Sequence, residues 1–256
     1  MMLFASWCFL KFSKDVAIGI ILFSIFIYFG LTNMPWLPLI LIYGLIGFKI
    51  GGLKLSLTIV ASFLFITFTG VLPQALLSIY LCGIAVIISF ILGSSLGIWA
   101  AHNDKVSAFM RPINDTMQTM PSFVILIPFV MFFGIGEFTA LLAIIAYAFV
   151  PAMRYTEHGL RNLPETVIEA ARMIGCSQTQ LLWKVKIPLA MPVIMLGLNQ
   201  TIMFGLAMLV IAALVGTTGL GQLIYIGLSK ADFGTGMISG VSIALIAIIF
   251  DRTTQA

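Results

Sequence analysis

Between Glu165 and Pro188 the chain reads ETVIEAARMIGCSQTQLLWKVKIP, a polar stretch set between long apolar ones. Its residue types suit docking rather than catalysis. Val167, Ile168, Ala171 and Ile174 fall on one helical stripe, Pro164 suits a first helical position, and Gly175 falls where a left-handed C-cap closes a helix. Ser177 and Gln180 have the spacing of a capping box, in which each side chain satisfies an orphan amide of the other. The spacing therefore predicts a second helix that starts at once and ends at Pro188. Two short helices at a tight turn present an apolar ridge that can enter a partner's groove.

Other chemistries find no footing in the residues. A nucleotide-cradling loop needs Gly-Lys-Ser/Thr, and none of the eight lysines follows a glycine. Gly216-Thr217-Thr218-Gly219-Leu220-Gly221 has GxxGxG spacing without a strand before it, so it reads as a flexible external turn rather than a dinucleotide loop. His102 and His158 lie far apart in loops, and Cys8, Cys82 and Cys176 have no ligand spacing, so no metal or cofactor site is expected. No Ser-His-Asp set is evident. Glu137 stands at the end of an apolar run as an interfacial carboxylate. Asn199 and Gln200 lie inside a run, where amides must find partners. Helix packing is the expected role of both, and since adjacent positions point about 100° apart, one of them is free to face a pathway.

The composition places these residues in a membrane. Of the 256 residues 61% are hydrophobic and 9% charged, with a mean hydropathy of +1.15, against about 25% charged in soluble domains. At that length no attached soluble domain is expected. The net charge of +4 comes from basic residues spread singly over many loops, which excludes a nucleic-acid face and reports topology instead.

Eight apolar runs are expected to cross. Lys11 and Lys14 follow the first few apolar residues, the reverse of a cleaved signal peptide, and precede a span at 16–31. A short run at 35–48 is followed by a turn at Gly51-Gly52 and a third span at 55–72, closed by Pro73. The fourth, 77–101, carries Gly93-Ser94-Ser95-Leu96-Gly97, a small-xxx-small face for close helix packing. A short amphipathic connection at 102–114 leads to a fifth span at 120–135, kinked at Pro128. The remaining spans are 138–153, ending at Arg154, then 193–215, and 236–250 beyond a four-glycine segment. With both termini inside, twelve of the thirteen Lys and Arg residues face the cytoplasm and Lys230 faces out.

Glu169-Ala170-Ala171, Gly175 and Val185-Lys186-Ile187-Pro188 together resemble the EAA loop of ABC importer permeases, whose motif usually closes Ile-x-Leu-Pro. From about Pro73 to Gln255 the chain is similar to the membrane subunits of glycine betaine/L-proline importers. The resemblance implies an all-α polytopic membrane protein of the type I ABC importer permease fold with about eight transmembrane helices. Residues 1–72 would supply three N-terminal spans, and 73–256 the transport core with a cytoplasmic coupling loop at 154–188. It implies a permease subunit in the bacterial inner membrane without an ATPase site of its own, importing glycine betaine or proline-type osmolytes. Implied partners are cytoplasmic ATP-binding subunits gripping Glu169, Ala170, Ala171, Gly175 and Pro188, a periplasmic substrate-binding protein, membrane lipid and a second copy in a homodimer. The alternative reading, an ion-coupled carrier or channel, calls for intramembrane acids or paired broken helices, and the sequence has neither acids within its spans nor an internal repeat.

Overall fold

Small residues set the centre of this fold, because between helices in lipid there is no hydrophobic drive and close backbone approach supplies the attraction. The computed structural model describes residues 35–255. The expected span at 16–31, with Cys8, Lys11 and Lys14, lies outside them. Among the described residues the elements are α1 Trp36–Phe68, α2 Leu72–His102, α3 Asp104–Thr119, α4 Ser122–Phe133, α5 Glu137–Arg161, α6 Glu165–Met173, α7 Gln178–Val215, α8 Leu220–Ser229 and α9 Phe233–Gln255. No strand occurs among them.

Helix α5 is the hub, packed between α2 and α7. It is the most enclosed of the five long apolar helices, 61% buried over its apolar window against 22% for α9, although its hydropathy is the lowest of the five. Alanine explains the contrast: Ala140, Ala143, Ala148 and Ala152 are fully buried and let its neighbours close in. A Cβ on Gly93 would stand 2.5 Å from the Phe149 carbonyl oxygen, and one on Gly97 would stand 2.7 Å from that of Met153. On the opposite side a Cβ on Gly197 would stand 2.7 Å from Tyr155 Cβ. The expected small-residue face on α2 is thus spent on α5 of the same chain.

Helix α1 breaks at Gly51-Gly52, where Gly52 takes φ 70°, and its two arms fold against each other. Ser56 Oγ donates to the Gly44 carbonyl at 2.9 Å, and the Tyr43 and Phe63 rings lie 5.2 Å apart. The expected turn is therefore present. Fifteen residues precede the break and sixteen follow it, so each arm reaches about 22–24 Å, short of the ~30 Å hydrocarbon core. Leu39, Ile40, Leu55, Ile59 and Phe63 join Leu76 of α2 and Ile249 of α9 in a cluster of their own, which sets the hairpin at the rim.

By length and composition four unbroken helices among the described residues, α2, α5, α7 and α9, can cross a membrane; α1 makes a fifth only if its two arms are counted together, and the pair α3 and α4, bent by 102°, a sixth only if it counts as one. The expected span at 120–135 is shorter than the sequence suggests. Helix α4 has 12 residues, about 18 Å, between Pro121 and Gly134, whose φ of 75° stops it. Three elements outrun their apolar runs. Pro73 opens α2 instead of closing the helix before it. Residues 104–119 form a full helix, because Asn103 caps it by accepting from the amides of Lys105 and Val106. Helix α5 continues seven residues past Arg154 on a polar surface that finds partners on α3.

The GxxGxG segment is pinned. Ser78 Oγ of α2 accepts from the buried Leu220 amide at 2.9 Å, Thr217 is buried, and Thr218 donates to Glu137. A flexible turn is thereby corrected to a fixed one that opens α8, a ten-residue helix where the sequence shows only a glycine-rich segment. Gly227 of α8 meets Gly236 of α9, where a Cβ would stand 2.6 Å from the Gly236 amide nitrogen.

Candidate functional site

The elbow between α6 and α7 forms by local chemistry. Gly175 takes φ 87°, its amide donates to the Arg172 carbonyl at 2.9 Å, and the Cys176 amide donates to that of Ala171 at 3.2 Å. These two bonds make a Schellman cap, which satisfies the orphan carbonyls at the end of α6. Two residues later the capping box is complete. The Gln180 amide donates to Ser177 Oγ at 3.3 Å and the Ser177 amide to Gln180 Oε1 at 3.0 Å. Pro164 stands one position before the helix rather than at its first turn.

Past the elbow the second helix does not end at Pro188. It runs unbroken from Gln178 to Val215, 38 residues. Residues Leu181–Lys186 adopt π geometry, with the Ile187 amide bonding the Leu182 carbonyl five residues back. The wider turn relieves the clash between a proline ring and the carbonyl four residues earlier, so Pro188 is carried inside the helix. The expected stop becomes a rigid link from the elbow into α7.

The apolar stripe is divided between two environments. Ala171 is buried and Ile168 half-buried on the inner side of the elbow, where Leu181 is also buried. Ile174 at 84% exposure and Val167 face out, joined by Met173 at 89% and Trp183. The outward ridge is thus Val167, Met173, Ile174 and Trp183, and Ala171 belongs to the chain's own packing. Helix α6 packs back on the π segment, and this turns Ala171 inward. Glu169 and Ala170 are exposed, and Glu169 makes no ion pair among the described residues. The outward surface has an apolar centre with charged Glu169, Arg172 and Lys184 beside it, the anatomy of a protein-docking surface.

Just before the elbow, Arg161 ties three helices together. It pairs with Asp104 of α3 at 2.8 Å and Glu157 of α5 at 3.0 Å, and donates to the Ala100 carbonyl of α2 at 2.7 Å. Arg154 pairs with Asp115, and Ser107 donates to Glu157 at 2.5 Å. A cavity of about 610 Å³ lies here, lined by Arg111, Asp115, Arg154, Glu157 and His158. Glu157 and Arg161 are a local i,i+4 pair, whereas the other partners stand 39 to 61 residues apart and carry no local signal in the sequence.

Of the two amides singled out in α7, Asn199 is buried and bonded to α9, donating to Asp251 Oδ1 at 2.8 Å and accepting from Thr254 at 3.1 Å. Gln200 is half-buried and makes no side-chain hydrogen bond among the described residues. The two point to different surroundings, as adjacent helical positions must. Among the described residues no group of His, Cys, Asp and Glu could hold a metal.

Similarities to known proteins agree with this architecture. The family described as binding-protein-dependent transport system inner membrane component matches residues 93–252. The chain is 40% identical over 226 residues to the glycine betaine/proline betaine transport system permease protein ProW of Escherichia coli (strain K12), covering 88% of this chain and 64% of that protein. It therefore spans somewhat less than two thirds of that relative. It is 36% identical over 255 residues to the glycine betaine transport system permease protein OpuAB of Bacillus subtilis (strain 168), covering 98% of this chain and 90% of that protein. Among solved structures, an inward-facing form of the MetNI methionine ABC transporter matches with a TM-score of 0.63 at 19% identity, over 72% of this chain and 93% of that one. At that identity the likeness speaks to the fold alone, which is that of a type I ABC importer permease. With 160 of its 256 residues matched and relatives this similar along its length, the chain belongs to the binding-protein-dependent transport system inner membrane component family.

Proposed function

We propose that this chain is the permease subunit of an ATP-driven importer for glycine betaine and proline-type osmolytes, with ATP hydrolysed on a separate cytoplasmic subunit. The observation that carries the proposal is the capped elbow at Gly175 and Ser177, with its outward apolar ridge joined rigidly to α7. A push on the elbow is transmitted along one helix into the centre of the fold. Residues 154–188 form the coupling loop, in which Glu169 and Ala170 face the ATPase, Gly175 fixes the bend, Ala171 packs it and Pro188 lies on the link. The osmolyte class is inferred from what the relatives ProW and OpuAB carry by name.

One chain offers one elbow, whereas a symmetric pair of ATPases needs two, so the complex contains a C2 homodimer with the pathway between protomers. Gln200 is assigned to the pathway side and Asn199 to helix packing. A periplasmic binding protein delivers the solute, both termini lie in the cytoplasm, and residues 1–72 form an accessory segment on a core of 73–256. Concentrating a solute a thousandfold costs about 4.1 kcal/mol, which binding alone cannot supply in a cycle. Uptake of radiolabelled glycine betaine into proteoliposomes holding the reconstituted complex tests the proposal. ATP-dependent accumulation supports it, and accumulation driven by an ion gradient without ATP refutes it.

A further inference from the structure

A second cavity of about 580 Å³ opens between the α1 hairpin and the end of α9, with Lys54, Thr58, Arg252 and Gln255 among its lining residues. No carboxylate lines it, and neither Lys54 nor Arg252 makes an ion pair among the described residues. Asp251, adjacent in sequence to Arg252, directs its Oδ1 to Asn199 and Gln255 instead. The basic cavity beside the elbow differs in this respect, since its Arg154 and Arg161 are neutralised by Asp115, Asp104 and Glu157. The cations at the hairpin are left open for an external anion.

The surroundings of that cavity are apolar and face outward. Leu53 at 65%, Leu57 at 61% and Ile248 at 45% exposure stand next to it in a chain whose long helices cross a membrane. Leu55 and Ile248 contribute to its wall. Two unpaired cations in a cleft between membrane helices, with Leu55 and Ile248 in its wall and exposed Leu53 and Leu57 on the same helix as Lys54, match a phosphodiester headgroup with acyl chains running along the helices. A free phosphate shares the charge but makes no use of Leu55, Ile248 and the exposed leucines beside them.

We propose that the cleft formed by Lys54 and Arg252 binds the phosphate of an anionic glycerophospholipid, holding the α1 hairpin against α9. The detergent-purified, delipidated protein is exposed to mixed micelles with equal phosphatidylglycerol and phosphatidylcholine, and bound lipid is counted by native mass spectrometry. Wild type retains phosphatidylglycerol in preference, Lys54→Gln and Arg252→Gln each weaken its retention about fivefold and the double variant about 25-fold. Arg111→Gln in the other cavity leaves retention unchanged, and the charge-conserving Lys54→Arg keeps it should a glutamine variant fail to fold. Equal retention of the two lipids, or unaltered retention in the double variant, overturns the proposal. Displacement of phosphatidylglycerol by millimolar inorganic phosphate also overturns it, because the site would then be one for a free anion.

Discussion

Asn199 of α7 and Asp251 of α9 meet across 2.8 Å, and with Thr254 they join the helix that carries the elbow to the last helix of the chain. Replacing Asn199 with alanine removes the donor and leaves a half-buried carboxylate short of a partner, which costs about 1–3 kcal/mol. Asn199→Ala is expected to lower the thermal unfolding midpoint in detergent by several degrees, and Asn199→Ala with Asp251→Ala by less than the sum of the two single changes. Additive losses would show that the two residues do not interact.

Gly93 and Gly97 are required by distance rather than by backbone angle, since α2 approaches the α5 carbonyls too closely for a Cβ. Gly97→Leu forces the helices apart and is expected to cost at least about 1–3 kcal/mol, the range for overpacking a filled core. The check is expression and monodispersity on size exclusion. Gly240, with open space around it, is expected to accept alanine without loss.

Much of the elbow was legible in the sequence because caps are local: Gly175 and the pair Ser177 and Gln180 carry their geometry within a few residues. The Gly51-Gly52 turn is local in the same sense. Pro188 misled because the π turn before it makes room for its ring, and in this packed bundle Pro151 and Pro192 too are carried inside helices. Helix α5 outran its apolar run because Glu157 and Arg161 find partners on α2 and α3 some fifty to sixty residues away. The inward turn of Ala171 depends on α6 packing against the π segment, and helical periodicity alone does not say which side of a stripe a chain keeps for itself.

The basic residues give an expectation for topology. Arg161 and Asp104 meet at one end of α5, while Glu137 and Thr218 meet at the other. Single cysteines at 105 and 161 are expected to react with an impermeant maleimide only after the membrane is opened, and those at 230 and 232 in intact spheroplasts. Labelling of position 161 from outside would reverse the orientation proposed here.

Glu169 is exposed on α6, so removing its charge should spare the fold and weaken docking. Glu169→Ala is expected to reduce co-purification of the ATPase two- to fivefold at low salt, about 0.4–1 kcal/mol, with the difference shrinking as salt rises and screens the contact. A salt-independent loss would place the effect in packing instead.

Gly175 carries the central claim. A Cβ there meets nothing within 4 Å, so a substitution acts through φ 87° alone, and a β-branched residue pays roughly 1–2 kcal/mol of backbone strain while asparagine tolerates the left-handed region. The decisive measurement is ATP-driven glycine betaine uptake in proteoliposomes holding the complex built with wild type, Gly175→Asn or Gly175→Val, together with ATPase co-purification. The account predicts that all three insert, that Gly175→Asn retains most uptake, and that Gly175→Val loses uptake through a lost or uncoupled ATPase. Wild-type uptake by Gly175→Val would show that the elbow is only a linker and contradict the account.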